Sequence, residues 1–210
     1  MRLGTLSAKY ESSGDPGSVS QNPNDAGGWS YGIYQFSSAK GVVQAFVEWL
    51  TSTYWGYETL KNEVGDPRNS ENFVTAWKKT AEEIPEAFGD VQDQYAVMQY
   101  FDPGRERLRN IGFDPGEHSV ALRQVLMSNC IQHGTYWGSE VFKEAEKLSG
   151  QPLGNMSDAD IIYWVYQVKL TDLSWSNGCP DPDRPGMLPE WAERRWNAER
   201  EDALEMLRCE

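Results

Sequence analysis

Basic residues are scarce in this sequence, and histidine and cysteine scarcer still. Its 19 Lys and Arg stand against 32 Asp and Glu, a net charge of −13. So acidic a chain repels phosphate backbones, which excludes general nucleic-acid binding, and it gains nothing from long-range attraction to an anionic polymer. A substrate must therefore be met in a local cleft. Only two histidines, His118 and His133, are present, which leaves no His-rich metal site. The three cysteines, Cys130, Cys179 and Cys209, form no CxxC pair. Free thiols are the favoured reading, with a Cys179–Cys209 bridge as the alternative. The acidic loop "DPDRPG" lacks the ligand spacing of a calcium site, so neither metal nor cofactor is expected. No apolar run approaches the length of a membrane span. The opening "MRLGTLSAKY" lacks the apolar core of a signal peptide. The expectation is a protein made in the cytoplasm and carried elsewhere by something else.

Aromatic residues, by contrast, are abundant: 12% of 210 residues, with 9 Trp and 10 Tyr. Rings with an apolar face and a polar tip suit a saccharide cleft, although most aromatics in any fold are core. Repeats and low-complexity tracts are absent, and no linker separates two domains, so residues 1–210 read as one domain. Leu3, Leu6 and Tyr10 recur at helical spacing, which places Glu11 in the last turn of a short helix before Ser13-Gly14. Val42, Val43, Phe46, Val47 and Leu50 form an apolar helical stripe. Asn69 or Ser70 caps a helix with Phe73, Trp77, Ala81 and Ile84 on one face, and Trp77 is expected in the core. A helix over 90–101 should be interrupted by Pro103-Gly104. Asp114-Pro115 should open the next helix, with Gly134 closing it. Ser157 and Asp160 form a capping-box pattern, and 189–207 is amphipathic. Strand signals are confined to Trp29–Phe36. The fold class is mostly α, with a small β-hairpin near residues 25–37.

The segment between Lys9 and Phe36 carries the chemistry. Cleaving a glycosidic bond takes one carboxylic acid to protonate the leaving oxygen and a second carboxylate to stabilise charge, attack, or activate water. The two need different surroundings, so that one keeps its proton while the other ionises. Glu11, at a helix end beside aromatic residues, is the candidate donor. Asp25, in a polar loop of Asn, Gly and Ser, is the candidate ionised partner, with Asp15 as a competitor for that role. An Asx turn is the structural alternative for Asp25, and Ser30 serves equally well as a turn residue. The glycines at 27, 28 and 32 fit a tight hairpin with positive φ, or a sugar chain lying against bare backbone.

The residues in this block, "YESSGDPGSVS" and "DAGGWSYGIYQFSS", resemble the active-site signature of the lysozyme-like superfamily. The nearest likeness is to muramidase domains of phage lysins and of type VI secretion spike proteins. The later "FVTAWKK" and "IQHG" follow the same pattern more loosely, and the likeness extends in order over residues 1–150. Ser13 departs from it, standing where glycine is usual. The resemblance implies a lysozyme-like fold and a peptidoglycan hydrolase that cleaves the β-1,4 bond between N-acetylmuramic acid and N-acetylglucosamine. A lytic transglycosylase, a chitosanase or chitinase, and a non-catalytic wall-binding module are the alternatives. The resemblance makes Glu11 the general acid, Asp25 its partner and Ser30 a holder of the catalytic water. Tyr31, Tyr34, Gln35, Gln132 and His133 become the substrate-binding set, although packing or capping is the plainer role for His133. The partners implied are peptidoglycan glycan strands, a delivery machine and, for an antibacterial effector, an immunity protein. The implied place of action is the periplasm or cell wall, after delivery by holin, secretion system or virion.

Overall fold

The apolar stripes of the sequence lie buried along the helices of a computed structural model, which describes residues 2–21, 28–62, 70–176 and 186–210. Two compact units divide the chain: Ala8–Ala96, and Met1–Ser7 together with Val97–Glu210. No described helix is long and apolar enough to cross a membrane.

The first unit holds the end of α1 (Thr5–Glu11), a sheet of β1 (Val19–Gln21), β2 (Trp29–Tyr31) and β3 (Phe36–Ser37), and helices α2 (Val42–Thr53), α3 (Glu58–Asn62), α4 (Glu71–Glu83) and α5 (Pro85–Ala96). The sheet is antiparallel in the order β1-β2-β3. The expected hairpin is its β2–β3 half, and β1 adds a third strand too short and polar to signal itself in sequence. The stripe of α2 is buried at Val43, Phe46, Val47 and Leu50. Ser70 caps α4 by accepting a hydrogen bond from the Phe73 amide at 3.1 Å; Asn69 lies outside the described residues. Phe73, Trp77 and Ala81 are buried as expected, but Ile84, which caps the end of α4, is 41% exposed. The core is aromatic. Trp77 meets Phe88 at 4.8 Å and Tyr31 at 5.3 Å between ring centroids, and Phe46 meets Tyr95 at 5.2 Å. Edge-to-face and tilted pairs of this kind add to the burial of large apolar area.

The second unit contains a π-helical turn (Val97–Phe101), α6 (Asp102–Arg109), a 3-10 turn (Pro115–Glu117), α7 (Val120–Ser149), α8 (Asp158–Thr171), a 3-10 turn (Leu173–Ser176) and α9 (Glu190–Arg208). Pro103 does not interrupt the chain here. The π turn absorbs the missing amide and lets Pro103 occupy the first turn of α6, where a proline is tolerated. Asp114 caps only the short 3-10 turn, through the Gly116 amide, while Ser119 caps α7 through the Leu122 amide. The capping box at Ser157 and Asp160 is present. Gln124 holds the start of the chain. Its Oε1 accepts from the Gly4 amide at 2.7 Å, and its Nε2 donates to the Arg2 carbonyl at 2.6 Å.

Gly134 has φ 77 and ψ 162, a conformation open in practice only to glycine, and α7 kinks there. Beyond the kink, Gly138 lies so close to the preceding limb that a Cβ would fall 2.4 Å from Cys130 Cα and 2.5 Å from its nitrogen. Gly104 of α6 leaves room for the Cys130 sulfur in the same way. Cys130 is therefore a buried free thiol, its pKa pushed up to about 12 by desolvation. Cys209 is free at the surface, and Cys179 lies outside the described residues.

Gly138→Ala should lower stability by about 3 kcal/mol or more in urea unfolding, because rigid backbone blocks the new methyl. Gly150→Ala, with φ 69 but open space around it, should cost only about 1 kcal/mol. Equal losses at the two sites would contradict this account of the kink.

Candidate active site

Glu11 is half-buried in the last turn of α1. The chain leaves the helix through two left-handed residues, Ser13 at φ 58 and Gly14 at φ 81. Ser12 fixes this turn: its Oγ donates to the Ile33 carbonyl at 2.9 Å and accepts from the Gly14 amide at 3.2 Å. Asp15 closes the next turn by accepting from the Gly17 amide at 2.8 Å. That local Asx bond explains Asp15 without catalysis.

Gln92 on α5, fully buried, clamps the two segments together. Its Oε1 accepts from the Ile33 amide at 2.8 Å, and its Nε2 donates to the Pro16 carbonyl at 3.0 Å. Trp77 Nε1 donates to the same carbonyl at 2.9 Å. Gly32, at φ 73, is bare because a Cβ there would sit 2.1 Å from Gln92 Oε1 and 2.9 Å from the Trp77 ring. Neither Gln92 nor this use of Trp77 was visible in sequence. A buried glutamine within an α5 pattern gives no sign of which backbone groups it meets.

The strand register places the predicted groove residues. Ser30 is half-buried at the centre of the sheet, opposite Ser20 on β1 and Ser37 on β3. Tyr31 belongs to the other face, opposite Val19 and Phe36. Its exposure is 0%, its ring packs against Phe73 and Trp77, and burial raises its phenol pKa. Tyr31 is therefore a core residue and not a groove residue. Successive strand residues point to opposite faces, so Ser30 and Tyr31 never line one surface. Tyr34 is likewise buried, with its hydroxyl donating to Asp93 Oδ1 at 2.7 Å.

Gln35, left-handed at φ 52, ties the sheet together. Its amide nitrogen donates to the Gly32 carbonyl at 2.9 Å, and its Oε1 accepts from Ser20 Oγ at 2.5 Å. Its side chain serves the turn that presents Ser30. Asp25 lies outside the described residues.

Gln132 and His133 belong to the other unit. Gln132 is fully occupied by its own surroundings, which corrects its assignment to substrate. Its Nε2 donates to Ser128 Oγ at 2.8 Å and to Glu199 Oε1 at 2.9 Å, while its Oε1 accepts from Lys169 Nζ at 3.0 Å and Trp196 Nε1 at 3.2 Å. Two donors and two acceptors exhaust an amide side chain. His133 packs edge-on to Trp175 at 5.4 Å. Burial, with the charges of Lys169 and Arg195, lowers its pKa to about 3, so the ring is neutral near pH 7.

The family model for "Type VI secretion system spike protein VgrG3-like, C-terminal" matches residues 3–175. The type VI secretion system spike protein VgrG3 of Vibrio cholerae serotype O1 is 31% identical over 171 residues, which is 81% of this chain and 16% of that protein. Among solved structures, the native chitosanase of Bacillus subtilis MY002 aligns with a TM-score of 0.69 at 21% identity, over 97% of this chain and 88% of its own. The chitosanase OU01 with substrate aligns at 0.63 and 17%, over 84% and 77%. The GH46 chitosanase of Gynuella sunshinyii with chitotetraose aligns at 0.58 and 15%, over 98% and 84%. These likenesses carry the lysozyme-like fold.

Ser13 occupies a left-handed position, which gives a physical reason for glycine being usual there. Ser13→Gly should raise stability by about 0.5–1 kcal/mol, read as a higher melting temperature; a fall would mean that the Ser13 side chain has a role of its own. Gln92→Leu leaves the Ile33 amide without its buried partner, while the Pro16 carbonyl keeps Trp77, and should cost about 1–3 kcal/mol. A thermal melt unchanged from the native protein would remove the clamp from this account.

Proposed function

Because this chain belongs to the VgrG3-like C-terminal family of type VI secretion spike proteins, we propose that it is a glycoside hydrolase of the cell wall. Its reaction is cleavage of the β-1,4 bond between N-acetylmuramic acid and N-acetylglucosamine, with residues 1–210 acting as one catalytic domain. The observation that supports this most is the pinned turn after Glu11. Ser12 and Gln92 hold the end of α1 against the Gly32-Ile33 turn of the strand that carries Ser30. A carboxyl on a helix end, with its exit loop fixed by hydrogen bonds to the core and to the neighbouring turn, is the preorganisation a general acid needs.

Glu11 protonates the leaving glycosidic oxygen. Asp25 is the ionised partner, and Ser30 orients the water. With the two carboxylates roughly 6.5–9.5 Å apart, water attacks directly and the anomeric centre inverts. Delivery follows the relative's name. The chain is carried to the periplasm of a target cell by a secretion machine, and an immunity protein protects the producer.

Chitosan hydrolysis is the second reading. It is favoured by the chitosanases among the structural neighbours and by a net charge of −13, which suits a polycationic substrate.

Purified sacculi and fully deacetylated chitosan, digested side by side, test the choice. Release from sacculi of fragments with ordinary reducing ends is expected, with chitosan left intact. Anhydro-muramyl ends would indicate a transglycosylase, and cleavage of chitosan alone would give the second reading. Glu11→Gln should retain about 1% of activity or less; full activity would remove Glu11 from the mechanism.

A further inference from the structure

The helical unit has a concavity that the proposed chemistry leaves unused. His133 and Trp137 of α7, with Ser174 and Trp175 of the following 3-10 turn, line a cavity of about 180 Å³. Its walls are rings set edge to face. Trp175 crosses His133 at 82° and Trp137 at 88°, with centroids 5.4 Å and 6.2 Å apart. Trp175 is buried, but Trp137 is 56% exposed and offers solvent an aromatic surface. His133 Nε2 is buried without a hydrogen-bond partner among the described residues. A buried ring nitrogen left unmet is costly, and an explanation by ligand is one of few available.

The surrounding charges restrict what such a ligand can be. Lys169 of α8 and Arg195 of α9 both disfavour a proton on His133. The carboxylate near them, Glu199 of α9, is already engaged by Arg195 at 3.4 Å, Lys169 at 4.0 Å, Gln132 and Ser128. Among the described residues, a cationic ligand therefore meets the like charge of Lys169 and Arg195, with Glu199 already committed to them, whereas a neutral polar group meets the imidazole and Ser174 that line the cavity.

We propose that this pocket is a saccharide subsite for an N-acetylated amino sugar, in which the sugar's apolar face lies on Trp137 and its acetamido group bonds to His133, and that it discriminates against the free amine. The choice of ligand class rests on the glycan-hydrolase reading, but binding at the pocket does not require Glu11.

The test titrates the full chain with the tetramer of N-acetylglucosamine and with the fully deacetylated tetramer, read by calorimetry and by the NMR signals of the His133 ring. Glu11→Gln is used throughout, so that nothing is cleaved. The acetylated tetramer should bind and shift the His133 signals, and the deacetylated one should bind on the order of tenfold more weakly. Trp137→Ala, at an exposed position, should weaken acetylated binding by about tenfold or more, and Trp137→Phe should restore most of it. Undiminished binding by Trp137→Ala, unmoved His133 signals, or equal affinity for the two tetramers would each overturn the proposal. Hydrolysis by Glu11→Gln would overturn the catalytic assignment alone and leave the subsite standing.

Discussion

One buried amide determines the geometry of the sheet unit. Gln92 joins the Pro16 carbonyl to the Ile33 amide, and these two points lie on either side of the glycine-rich stretch. Loops that leave a helix through two left-handed residues have no reason of their own to hold one shape. The cost of ordering them, about 1–2 kcal/mol per residue in backbone entropy alone, must be met by contacts elsewhere. The clamp supplies a pair of hydrogen bonds, one buried and one half-buried, and an unmade bond at the buried end is expensive. Trp77 adds a third, from the aromatic core to the same carbonyl. The core thus sets the position of the loop after Glu11 directly, through polar atoms on otherwise apolar helices.

The same clamp revises the meaning of the glycines. In sequence, a bare residue beside a candidate active site suggests that a substrate lies close to the backbone. At Gly32 the space is instead taken by Gln92 and Trp77, and at Gly28 by Ala39, whose Cβ would sit 2.7 Å from an added one. Gly28 and Gly32 are needed by the protein's own packing, while Gly27 lies outside the described residues. Residues of a motif can therefore serve the frame and not a ligand.

How much was legible follows from what each signal depends on. Helix stripes apart from Ile84, the Ser70 cap and the Ser157 capping box depend on neighbours in sequence and were readable. Pro103 was misread because a π turn, which has no sequence signal, relieves the strain a proline would impose. Tyr31 was misread although the alternation of strand residues already separates it from Ser30; a strand only three residues long made the rule easy to overlook. Gln132 was misread because its partners lie 4, 37, 64 and 67 residues away, and nothing local announces a network gathered from three helices. Glu11 was reached through a family likeness and its helix end, not through any pattern of charge. Asp25, its intended partner, lies outside the described residues.

On the proposed reading, substrate choice is decided away from the acid. Chains with 15–21% identity to this one share its fold and are named for chitosan, and a proton donor serves either polymer equally, since both are β-1,4-linked amino sugars. What distinguishes the polymers is an amine that carries charge in one and an acetyl group in the other. Long-range charge, −13 overall, favours the cationic polymer but acts through water and salt, which screen it within about 10 Å. The proposed subsite would act at contact distance, where screening is slighter and the charges of Lys169 and Arg195 beside a neutral imidazole would penalise a bound ammonium. Where the two effects conflict, the contact term governs which sugar stays bound, and the surface charge governs only how often each polymer arrives.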